Sequence, residues 1–156
     1  MEQTYTVQRD IVIAAPAATI YESVVDFHRW EGWSPWEDTD ANMTRTYGGA
    51  DSGVGATYSW QGNRKVGEGT MKIVGAEDGA EVRIDLEFVK PFKARNDIVF
   101  TLAPADDGTR VTWAMTGRKT FMTRVMSIFW SMDKAVGRDF EKGLARLKAV
   151  AESSDV

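Results

Sequence analysis

DGAEVRIDLEFVKPFKARNDIVFTLAPADDGTRVTWAMTGR, residues 78–118, is the stretch whose reading decides the fold. Within it Val82, Ile84, Leu86 and Phe88 alternate with Arg83, Asp85 and Glu87; Ile98, Phe100 and Leu102 share one parity further on, as do Val111, Trp113 and Met115. Successive side chains in a strand point to opposite faces, so this period of two predicts strands with one buried and one wet face. Asp78-Gly79 opens the stretch and Asp107-Gly108 divides it. Asp-Gly pairs supply the positive φ that tight hairpins need, so the strands pair antiparallel.

Upstream, the same pattern continues in Met43–Tyr47, Ala56–Trp60 and Gly67–Ala76, broken at Gly48-Gly49 and Gly62-Asn63. With Ala80–Phe88, Arg95–Ala103 and Thr109–Arg118 these make six consecutive strands. A first strand precedes them, with Tyr5, Val7, Ile11 and Ile13 on one face. Pro16 then suits the first turn of a helix, and Ile20, Val24 and Phe27 follow on one helical face. The Trp-rich, Pro-interrupted text from Arg29 to Asp40 predicts a structured loop or short helical turns.

Downstream, eight of the twelve residues from Phe121 to Met132 are apolar, which predicts a short helix or mobile lid with Met122, Met126 and Phe129 as its cover. From Asp133 a long amphipathic helix follows, with Val136, Phe140, Leu144, Leu147 and Val150 on one side. This order predicts an α+β fold: a curved seven-stranded antiparallel sheet wrapped around a long C-terminal helix, with short helices after the first strand. Such a sheet leaves an interior that side chains fill only in part, and its mouth suits a ligand.

The 156 residues predict one domain over 1–156. Hydrophobic residues at 43% and charged residues at 27% lie in the globular range. Lys and Arg total 19 against 23 Asp and Glu, a net charge of −4 that gives no footprint for phosphate backbones, so nucleic acid is not an expected partner. Absence of cysteine excludes thiolate chemistry, and one histidine cannot build a histidine-rich metal cluster; no metal or other cofactor is expected. No basic and apolar leader opens the chain and no stretch is apolar enough for stable membrane insertion, so a cytoplasmic location is expected. Oligomeric state is left open.

Three stretches carry a resemblance to a known family: Ile11–Phe27 with Ala15-Pro16 and Ile20-Tyr21 before Asp26; Trp33-Ser34-Pro35-Trp36; and Gly137–Lys148. With Gly108–Trp113 they resemble the polyketide-cyclase/START-like superfamily, SRPBCC, from about residue 3 to residue 152. The resemblance implies a helix-grip fold around a deep hydrophobic pocket. It carries no invariant catalytic motif onto these positions.

The residues themselves then divide. Tyr58, Trp60, Met71, Leu86, Phe88, Phe100, Trp113 and Met115 face inward by parity, and with Phe129 and Phe140 they are the candidate wall for a small hydrophobic ligand. Asn96 shares the parity of Ile98 and is the polar candidate for the interior. Asp85, Glu87, Asp97 and Glu68 have outward parity, which argues against a catalytic carboxylate pair. His28 is placed at the end of the first helix, where it would cap the last carbonyls. Trp33-Ser34-Pro35-Trp36 reads as fold support rather than substrate contact. Gly137 and Gly143 imply close packing against the last helix or space kept open there. The expected function is binding of a lipid, polyketide-like aromatic or isoprenoid. The alternatives are a cyclase/dehydratase in which His28, Asn96 or Tyr58 moves protons, and a lipid-carrying or membrane-surface protein using Phe121–Met132.

Overall fold

A computed structural model describes residues 4–35, 42–63, 67–90, 93–118 and 126–153. Seven strands, β1 (Thr4–Ile13), β2 (Thr44–Gly48), β3 (Thr57–Gln61), β4 (Glu68–Glu77), β5 (Glu81–Lys90), β6 (Ala94–Ala105) and β7 (Gly108–Arg118), form one sheet in the order β1-β7-β6-β5-β4-β3-β2. Every neighbouring pair is antiparallel. Helix α1 (Ala17–Val25) and a 3-10 helix (Phe27–Gly32) follow β1, and α2 (Met126–Ser153) closes the chain.

The Asp-Gly hairpins stand where the sequence predicts them. Gly79 turns β4 into β5 at φ +68°, a conformation that costs other residues their Cβ clearance. Gly108 starts β7, and a Cβ there would meet the Ile13 carbonyl oxygen at 2.0 Å. Its neighbour Thr109 donates its hydroxyl to the Ala15 carbonyl at 2.9 Å, fixing the exit of β1 into α1.

Register arranges the inward side chains into rows across the sheet. One row runs Val82, Phe100, Trp113 and Arg9; the next runs Ile73, Ile84, Ile98, Met115 and Val7; the third runs Tyr47, Tyr58, Met71, Leu86, Asn96, Gly117 and Tyr5. Trp60, Gly69 and Phe88 extend beyond the third row.

Helix α2 lies along β1 in the same direction, because Gly137 sits against Arg9 while Glu152 accepts from the Ala14 N–H at 2.9 Å. Its buried face is Phe140, Gly143, Leu144, Leu147 and Ala151. Val136 and Val150, assigned to that face by periodicity, are half-buried at its edges.

One boundary differs from the expectation. Residues 126–132 are the first turns of α2 and not a separate helix, and the helix runs unbroken for 28 residues. No glycine or proline interrupts 126–136, so the shift from apolar to amphipathic text at Asp133 is not a helix end. Residues 121–125, Met122 among them, and the side chains of 126–133, Phe129 included, lie outside the described residues. No described helix is long and apolar enough to cross a membrane.

Candidate functional site

Two ends of the sheet interior differ in how completely they are filled. At one end Trp113 is stacked between Phe100, 4.9 Å away, and Phe140, 4.1 Å away with rings 11° from parallel. Trp30 and Trp33 meet this stack edge-on at 5.7–6.3 Å. Offset and edge-to-face contacts suit the aromatic quadrupole, and together these rings close the interior. Phe100 and Trp113 are 0% exposed and Phe140 1%, so no water-sized space touches them. Gly143 shares this closure: a Cβ there would stand 2.9 Å from both Pro35 Cδ and Trp113 Cζ3. Of the two readings of the helix glycines, close packing is the one observed at Gly143.

Toward the third row exposure rises. Tyr58 and Asn96 keep 5% of their surface, Met71, Leu86 and Met115 6%, and Tyr5 9%. Trp60, Phe88 and Tyr47 beyond them are half-buried. Trp60 stacks over Tyr58 at 6.3 Å and meets Phe88 edge-on at 5.8 Å, while Tyr47 meets Tyr58 at 5.4 Å. The indole lies across β4 because position 69 is glycine; a Cβ there would stand 2.5 Å from Trp60 Cη2 and 2.6 Å from the Glu87 carbonyl oxygen. An apolar, aromatic surface that stays partly open is what a hydrophobic ligand needs.

One polar pair stands in this end. The Tyr5 hydroxyl donates to Asn96 Oδ1 at 3.0 Å, across β7. Gly117 lies between them in the register, and a Cβ there would be 2.1 Å from Oδ1 and 2.6 Å from the hydroxyl. Its φ is not positive, so the backbone does not require glycine; the pair does. Burial raises the Tyr5 pKa above its ordinary value of 10.0, which keeps the phenol protonated at neutral pH. Asn96 therefore stands inside, as its parity predicts, but Tyr5 and Gly117 were not singled out from sequence.

The four carboxylates of outward parity stay outside. Glu87 and Asp97 are exposed, Glu68 is half-buried on the outer parity, and Asp85 pairs there with Arg95 at 2.7 Å. His28 does not cap α1. The indole N–H groups of Trp30 and Trp33 donate to the carbonyls of Val24 and Ser23 at 2.8 and 3.0 Å and take that role. His28 instead sits in the 3-10 helix, its Nδ1 2.9 Å from Asp26 Oδ1 and its ring stacked on Tyr47 at 4.3 Å, with about half its side chain exposed. Trp33 and Ser34 are buried supports, Ser34 accepting from Arg146 through its carbonyl at 3.1 Å; Trp36 lies outside the described residues.

Residues 4–152 match the profile of a family described as polyketide cyclase / dehydrase and lipid transport. No curated protein matches the chain by sequence. Among solved structures, the di-domain ARO/CYC StfQ from the steffimycin biosynthetic pathway superposes with a TM-score of 0.74 at 10% identity, over 97% of this chain and 52% of that one. A protein of unknown function from Staphylococcus aureus gives 0.73 at 10% identity over 99% and 97% of the two chains. A protein from Chromobacterium violaceum gives 0.64 at 15% identity over 94% and 96%. At such identities the likeness is one of fold.

Proposed function

The chain belongs to the polyketide cyclase / dehydrase and lipid transport family, and from that premise we propose that it binds a small hydrophobic molecule at the open end of its curved sheet. The observation that supports this is an apolar, aromatic inner face on which Trp60 and Phe88 are half-buried beside the buried Tyr58, Met71, Leu86 and Met115, in contrast to the Trp113 stack, where Trp113 is 0% exposed. These six, with Asn96, are the proposed contacts. Phe100, Trp113 and Phe140 are the backing against which the wall is held, because nothing the size of water reaches them.

A neutral fluorescent probe such as N-phenyl-1-naphthylamine tests the reading. The folded protein should bind it, and Trp60→Ala should weaken binding about tenfold, since roughly 60 Å² of lost apolar contact at about 25 cal/mol per Å² is about 1.5 kcal/mol. Native mass spectrometry of freshly purified protein should show a retained small molecule. Failure of every apolar probe to bind the folded protein would overturn the reading.

A second reading, a cyclase or dehydratase, draws on one observation: a protonated phenol, Tyr5, stands beside Asn96 at the same end. There Tyr5 would serve as a neutral hydrogen-bond donor rather than a general acid, since its raised pKa makes it slow to give up its proton at neutral pH.

A further inference from the structure

Asn96 is 5% exposed, and its amide has four hydrogen-bonding positions to satisfy. Oδ1 accepts from Tyr5; among the described residues the amide nitrogen has no partner. That nitrogen is not sealed from solvent, so an acceptor on a ligand can reach it. The structure goes to some length to hold this amide in place: a tyrosine from β1 fixes its oxygen, and a glycine in β7 clears the room for both. Fixing Oδ1 also fixes the direction of the amide nitrogen, which turns a rotatable side chain into an oriented donor.

The surroundings set the charge of what this donor can meet. Its neighbours in the row are Leu86 and Gly117, and in the adjacent row Ile98 and Met115. Among the described residues no cation shares either of these rows, and Arg9, one row further on, is held by Glu141 and the Gln8 carbonyl at 3.2 and 2.8 Å. An anionic group brought beside Asn96 would lose its water without gaining a counter-charge from the described residues of these rows, a cost neutral oxygens escape.

We propose that Asn96, oriented by Tyr5 in the space left by Gly117, selects hydrophobic ligands that carry a neutral acceptor oxygen, a ketone or ester carbonyl, over hydrocarbons of the same shape and over carboxylates. This rests on the open end being the ligand site. Asn96 is then a specificity-determining residue and Tyr5 a positioning residue for it.

The test uses three probes of one size, 2-acetylnaphthalene, 2-ethylnaphthalene and 2-naphthoate, on the full chain and on Asn96→Leu and Tyr5→Phe. Wild type should hold the ketone at least as tightly as the hydrocarbon despite the ketone's better hydration, and the carboxylate more weakly than either. Asn96→Leu should lose about 3- to 10-fold for the ketone and nothing for the hydrocarbon. Tyr5→Phe should cost the ketone less, about 2- to 4-fold, because the donor remains but turns freely. The carbonyl stretch of the bound ketone, read on wild type by infrared difference spectroscopy, should fall below its value in hexane, and this reading stands even where a variant fails to fold. An unshifted stretch, equal losses for ketone and hydrocarbon, or tighter binding of the carboxylate would each overturn the inference while leaving the binding site intact. Failure of wild type to bind both ketone and hydrocarbon would instead overturn the site, and the inference with it.

Discussion

Gly137 and Gly143 sit six residues apart in the same helix, and replacing each by alanine should act in different directions for a reason visible in the structure. Both substitutions gain about 1 kcal/mol of helix propensity. At Gly143 the new methyl would stand 2.9 Å from Pro35 Cδ, 3.3 Å from Pro35 Cγ and 2.9 Å from Trp113 Cζ3. Neither neighbour can yield. Proline is a closed ring, and the Trp113 ring is held between Phe140 and Phe100 at 4.1 and 4.9 Å. Overpacking of a rigid core costs about 1–3 kcal/mol, and with two rigid contacts the upper part of that range applies. The net expectation is a loss of about 1–2 kcal/mol, or a fall of about 2–8 °C in Tm for a chain of this size. At Gly137 the three atoms nearest the methyl would all belong to the Arg9 guanidinium, the first a terminal nitrogen at 2.2 Å. That group is the far end of a flexible, partly exposed side chain, and its swing forfeits an ion pair with the mostly exposed Glu141 worth about 0.2–1 kcal/mol. Gly137→Ala should therefore fall within about 0.5 kcal/mol of wild type. Urea unfolding followed by far-UV circular dichroism measures both, with unchanged m-values as the check that the same transition is compared. Equal stabilisation by the two alanines would refute the claim that Gly143 is there for packing.

Further outcomes follow from the titratable groups and the histidine. Because burial raises the Tyr5 pKa, the stability tied to its proton is complete below about pH 10 and is lost as pH climbs toward the folded value; Tyr5→Phe should flatten the alkaline limb of a Tm-versus-pH curve, to which Tyr21, raised by burial and then by Asp78, also contributes. Glu152 is lowered by hydrogen bonding to Lys148 and then by the Ala14 N–H, so its contribution is present above about pH 4.5 and lost as acid protonates it. Glu152→Gln should lower Tm at neutral pH, and the gap to wild type should close by about pH 3. His28→Ala should change probe affinity by less than about threefold, measured by fluorescence titration, since the ring is half exposed and bonded to Asp26; a loss of about 100-fold in any activity would instead mark it as an acid or base.

Parity made the faces of the sheet legible, but not depth within them. Phe88 and Phe100 are both inward aromatics on neighbouring strands, and their local patterns read alike. What separates them is register. Phe88 pairs with Gly69 and Ala94 at the open end, whereas Phe100 pairs with Val82 and with Trp113 beneath α2. Register depends on contacts between strands, and a bulge such as the one between Ile73 and Gly75 shifts it without leaving a clear mark in the text. The capping of α1 was hidden for a related reason. His28 is adjacent in sequence and has the right chemistry, but Trp30 and Trp33 reach the same carbonyls after the chain has turned.

Tyr5 and Gly117 did leave a signal. The inward parity of Val111, Trp113 and Met115 continues to 117 and there meets a glycine inside a strand, away from any turn. A strand glycine weakens the strand unless something occupies the space it leaves, so the useful question is what stands there. Four glycines in regular elements answer it alike. Gly143 admits Pro35 and Trp113, Gly137 admits the Arg9 guanidinium, Gly69 admits the Trp60 ring, and Gly117 admits the Tyr5–Asn96 pair. The first brings the helix onto the sealed core. The last two, in the strands, put an aromatic plate and an oriented polar pair at the end that stays partly open. A chain that filled positions 69 and 117 with valine would gain strand propensity at both, and it would lose the two features on which the proposed recognition at this end rests.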